Sequence, residues 1–105
     1  MSTSYRRGEH ERLKARVDLA NEYISLYRAR IVRGLATYGE FDPATDNRCL
    51  AHEAIEECLD IGSYLEMDEQ KHPELTGRIQ KIRAKAIMLY GELKKLEVAE
   101  LTQGK

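Results

Sequence analysis

Between Leu75 and Leu96 the apolar residues never lose step. Leu75, Ile79, Ile82, Ala86, Leu89, Leu93 and Leu96 follow one another at alternating spacings of four and three. Three unbroken repeats of that pattern place them along one side of a helix, as a heptad seam suited to near-parallel packing on another helix. A strand has period two and does not generate such a line. Pro73 stands just ahead of it, in the first turn, where its missing N–H costs nothing. The spacing therefore predicts a long helix that continues to about Ala99.

A second amphipathic stretch begins at Glu9. Leu13, Val17, Ala20, Ile24, Tyr27 and Ile31 form one stripe, and Leu19, Tyr23 and Leu26 form another beside it. An apolar face this wide predicts a helix with more than one neighbour, ending near Thr37. "YGEFDPATDN", residues 38–47, carries turn chemistry. Gly39 suits a left-handed helix end, Asp42 before Pro43 is biased away from helix, and Thr45 or Asp46 is the expected cap of the next helix. That helix is expected from about Asn47 to Met67. The expected fold is thus all-α, a bundle of three main helices in one domain, 1–105, with residues 1–8 and 102–105 frayed. So short a chain has little interior, and completion by oligomerisation, as a homodimer or homotetramer, is expected.

Several function classes are excluded by composition. The formal net charge is −1, which supplies no basic field for a nucleic-acid polymer. The N-terminal "MSTSYRRGEH" has no apolar run, so no signal peptide is expected, and the longest apolar run, residues 86–90, is too short for a membrane span. Cys49 and Cys58 would sit about 13 Å apart along one helix, too far to bridge. Free thiols fit a reducing compartment, and a cytoplasmic location is expected. No serine has a histidine and an acid around it in a nucleophile motif, and no glycine-rich phosphate loop occurs. His10, His52 and His72 lack metal-ligand spacing and are expected at the surface, with His52 nearest the acids of the second helix.

That second helix holds the chemistry. In "HEAIEECLD", residues 52–60, Glu53, Glu57 and Asp60 fall on one arc with Tyr64, and Glu56 lies at its edge. Ala51, Ala54, Ile55, Cys58, Leu59, Gly62 and Leu65 fall on the other. Acidic helix faces are usually plain solvated faces. This one has no lysine or arginine between residues 49 and 70 to interleave with it. Glu53–Glu57 and Glu56–Asp60 are like-charge i,i+4 pairs, which oppose helix formation. Clustered carboxylates supply hard oxygen ligands suited to Mg²⁺ or Mn²⁺. Arg28, Arg30, Arg33 and Arg48 supply positive charge for phosphates. Tyr38 and Phe41 are candidates for stacking on a base.

"YGEFD" followed by "HEAIEECLDIGSYL" resembles the MazG-like all-α nucleotide pyrophosphohydrolases, in particular the short versions common in phages. The resemblance covers residues 30–66 and centres on the E-x-x-E-E-x-x-D run followed by Tyr64-Leu65. It implies a Mg²⁺-dependent enzyme that cleaves a nucleoside triphosphate to monophosphate and pyrophosphate. Glu57 and Asp60 match the family's E-x-x-D pair. Glu53 and Glu56 form an E-x-x-E pair, but on the same helix, whereas the family places it on a separate one. One helix supplies all four ligands, or symmetry-related chains pool them, or the site is incomplete. The expected catalytic residues are Glu53, Glu57 and Asp60, the metal ligands Glu53, Glu56, Glu57 and Asp60, and the substrate-binding residues Arg30, Arg33, Tyr38 and Arg48. The alternative is a non-catalytic helical assembly or adaptor protein whose heptad seam exists for subunit contact.

Overall fold

The computed structural model describes residues 3–103, and these are helical apart from the connecting segments. Helix α1 spans Thr3–Tyr38, α2 spans Leu50–Lys71, a single 3-10 turn spans Pro73–Leu75, and α3 spans Thr76–Gln103. The chain divides into two compact units, Met1–Asp46 and Asn47–Lys105.

In the first unit α1 starts six residues earlier than the periodicity predicts. Residues 3–8 are helical rather than frayed, because nothing in them breaks a helix except the tolerated Gly8. Residues 102 and 103, also expected frayed, are helical and complete α3, while residues 1–2 and 104–105 lie outside the described residues. The helix stops where a left-handed residue is required: Gly39 has φ 79°, and its N–H donates to the Leu35 carbonyl at 3.0 Å. Both apolar stripes of α1 are exposed, including Leu13, Val17, Leu19, Tyr23 and Ile31; Ile24 is half-buried. Beyond Gly39, Asp42 organises the turn. Its carboxylate accepts the Ala44 N–H at 3.0 Å, and its carbonyl accepts those of Thr45 and Asp46 at 3.1 and 3.0 Å.

That turn removes Thr45 and Asp46 as helix caps. They close the turn on Asp42, and the chain then runs through residues 47–49 before α2 begins at Leu50, so neither stands at the N-cap position, where a side-chain oxygen would accept the first N–H groups of the helix. Cys49 occupies the N-cap position with extended backbone and no side-chain cap bond. At its other end α2 continues four residues past Met67. It ends at His72, whose N–H donates to the Asp68 carbonyl at 2.8 Å and whose helical conformation is disfavoured by the following Pro73. The Thr76 hydroxyl donates back to the Pro73 carbonyl at 2.8 Å, tying the 3-10 turn to α3.

Helices α2 and α3 form an antiparallel hairpin. Its buried residues are Ala51, Ile55 and Cys58 of α2 and Ile79 of α3. Burial of a side chain like Ile79, 3% exposed, stabilises by about 1.5–3 kcal/mol. The Cys58 thiol donates to the Ala86 carbonyl at 3.5 Å, so this small residue sits against the facing backbone.

The line that α3 turns toward α2 differs by one residue from the predicted seam. Ile79, Ala86 and Leu93 belong to it as expected. The intervening positions are Thr76, Arg83, Tyr90 and Glu97, not Leu75, Ile82, Leu89 and Leu96, which are exposed. Partners explain the choice. Arg83 Nη2 donates to Glu69 Oε1 of α2 at 3.5 Å, and Glu97 meets His52 of α2 at 2.8 Å. Polar side chains with partners hold positions that an apolar count assigns to aliphatic neighbours.

Candidate functional site on the acidic arc of helix α2

Glu53, Glu56, Glu57 and Asp60 lie on the side of α2 turned away from Ala51, Ile55 and Cys58, and all four are exposed. The arc is built by the hairpin seam: once those three residues are buried, residues 53, 57 and 60 must point outward. Tyr64 and Met67 share the arc and are exposed with it.

The four acids are not equivalent. Glu56 Oε1 lies 3.3 Å from His52 Nε2, and His52 Nδ1 lies 2.8 Å from Glu97 Oε2. Lys94 Nζ is 3.3 Å from the other oxygen of Glu97. The imidazole thus joins the edge of the arc to α3. The hydrogen bond to Glu97, then the charges of Glu97, Glu56 and Glu53, raise the His52 pKa above its ordinary value. The same bond, with Lys94, lowers that of Glu97. Both shifts favour the charged pair.

Among the described residues, no three histidine, cysteine, aspartate or glutamate side chains come close enough together to hold a metal ion. A single copy therefore does not gather Glu53, Glu57 and Asp60 around one point, and Glu56 is engaged with His52. The carboxylates remain chemically suited to a hard divalent cation, with further ligands from elsewhere.

The expected substrate residues fall in both units. Arg30 and Arg33 line a groove along α1 with Tyr23, Leu26 and Tyr27, where the two tyrosine rings stack edge to face at 5.3 Å. Tyr38, in the last turn of α1, is 88% exposed. Arg48 belongs to the second unit, two residues before α2. His10 is exposed, and His72 pairs with Glu74 at 3.2 Å. Cys49 and Cys58 are free thiols.

Sequence reasoning missed Glu97 and the Glu69–Arg83 pair. Their signal was present: Glu69, Arg83 and Glu97 stand at heptad positions of the inner lines, where a charged residue implies a partner across the seam. The chain matches no known protein family, no curated protein and no solved structure. Among the described residues no helix is long and apolar enough to cross a membrane.

Proposed function

We propose that the chain is a Mg²⁺-dependent nucleoside triphosphate pyrophosphohydrolase of the MazG-like type that acts as a homo-oligomer in the cytoplasm. The observation that carries this reading is the acidic arc. Four exposed carboxylates share one side of α2, with no lysine or arginine between residues 49 and 70 to neutralise them. Because one copy does not gather three of them, the reading requires acids from more than one copy around the ion. Glu53, Glu57 and Asp60 are its ligands, and Glu56 lies at the edge, shared with His52. Mg²⁺ or Mn²⁺, when bound, polarises phosphate oxygens and lowers the pKa of a water. Arg48, in the same unit as the acids, balances triphosphate charge; for the first unit, taken by itself, Arg30 and Arg33 are proposed as phosphate contacts and the exposed Tyr38 as a base contact.

The deciding experiment is a panel of nucleoside triphosphates with Mg²⁺, read by pyrophosphate release. Turnover by the parent protein and its loss in Asp60→Asn is the expected result. Absence of turnover with every nucleotide, in Mg²⁺ and in Mn²⁺, sinks the reading. A second reading, a non-catalytic assembly or adaptor protein, is favoured by a different observation, the exposed aliphatic residues along α1 and α3. Such a protein loses its partner, and no activity, when Leu89→Glu is introduced.

A further inference from the structure

Helix α3 carries two adjoining heptad lines, and α2 uses one of them. The other consists of Leu75, in the 3-10 turn that leads into α3, and Ile82, Leu89 and Leu96 of the helix, each seven residues from the next and 42, 46, 47 and 50% exposed. It runs from residue 75 to residue 96, about 31 Å along the helix axis. Four aliphatic side chains in an uninterrupted line make a face that water disfavours. Along its outer edge run Arg78, Lys85 and Glu92, also seven apart and all exposed.

The signs of those edge charges select the occupant and its direction. A parallel copy of α3 would carry Arg78, Lys85 and Glu92 to the opposite edge of the partner, the side of its Ile79, Ala86 and Leu93, where none of the three meets an opposite charge. An antiparallel copy, turned about a twofold axis level with Lys85 and Ala86, sets Leu75 against the partner's Leu96 and Ile82 against the partner's Leu89. Arg78 then stands near the partner's Glu92, twice over by symmetry. One like pair is left, Lys85 with the partner's Lys85, and long lysine stems carry such charges out to water.

We propose that the line Leu75, Ile82, Leu89 and Leu96 is a twofold interface with a second copy of this chain, the two α3 helices running antiparallel. The interface does not rest on the pyrophosphohydrolase reading, and its tests read assembly alone. The full chain is expected to sediment as a dimer or a multiple of it. Lys85→Cys, an exposed position outside the hairpin core, should form a disulfide-linked dimer on mild oxidation. Arg78→Cys should not, because its symmetry mate lies about two turns of helix from the axis on the opposite side. The parent protein, with Cys49 and Cys58, is the control. Arg78→Glu and Glu92→Arg should each weaken the dimer about tenfold, the scale of two surface ion pairs lost, and the double exchange should restore it. A monomeric parent chain overturns the proposal. So does cross-linking of Arg78→Cys as readily as Lys85→Cys, or a double exchange as weak as the single ones.

Discussion

His52 is the residue with the most consequences for its size. It ties α2 to α3 through Glu97 and touches the acidic arc through Glu56. Its raised pKa contributes stability that is fully present below the ordinary histidine value of 6.5 and is lost as pH rises through the higher folded value. The lowered pKa of Glu97 contributes stability present above 4.5 and lost as pH falls through the lower folded value. The pair therefore acts most strongly between those two ordinary values. Melting temperature should fall from pH 6 towards pH 8, and His52→Gln should flatten that slope; an unchanged slope in the variant would remove the clasp. Gly39 makes a separate case. Its φ of 79° is open to glycine and strained for other residues, so Gly39→Ala should destabilise the end of α1 by about 1–2 kcal/mol, read by urea unfolding followed by circular dichroism.

At the scale of an element, α2 is a helix with its stabilising seam on one side and its repulsion on the other. Removing a charge from the repelling side should help the metal-free protein: Glu57→Gln or Asp60→Asn should raise its melting temperature slightly, by a few tenths of a kcal/mol per like-charge pair relieved. Millimolar Mg²⁺ or Mn²⁺ should raise that of the parent by several degrees, since a ligand at a hundredfold excess over its Kd adds about 2.7 kcal/mol. NaCl at matched ionic strength should not, and identical melting in all three salts would leave the arc a solvated face. On the opposite side, Ile79→Ala should cost about 2–4 kcal/mol.

The elements themselves are legible in the sequence because apolar periodicity dictates helices and because Gly39 and Pro73 break them. Their ends are less so. The capping role of Thr45 and Asp46 is overridden by the Asp42 turn, which no periodicity reports. Apolar counting places the inner line of α3 one residue off at alternate positions, since it cannot see that Arg83 and Glu97 have partners on α2. The outward direction of the four acids follows from the helical wheel, while their link to Glu97 spans 45 residues of sequence and needs the fold.

For the whole molecule, the proposed α3 interface would make folding and self-association draw on the same residues. Ile79, Ala86 and Leu93, on the line that α3 turns toward α2, also adjoin Leu75, Ile82, Leu89 and Leu96, so each borders both the hairpin and the proposed interface. Stability should then depend on protein concentration, with the melting temperature rising over a dilution series from low to high micromolar, as mass action requires for an associating native state. A melting temperature constant across that series would show that the folded unit is complete in a single chain.

The two thiols turn the hairpin into its own reporter. Cys58 is buried with its proton directed at the Ala86 carbonyl, while Cys49, at the start of α2, is partly open to solvent. A maleimide or Ellman-type reagent should therefore label the protein in two phases. The fast phase belongs to Cys49. The slow phase advances only when α2 and α3 separate, so its rate clocks how often the native hairpin opens under the conditions in which the protein works.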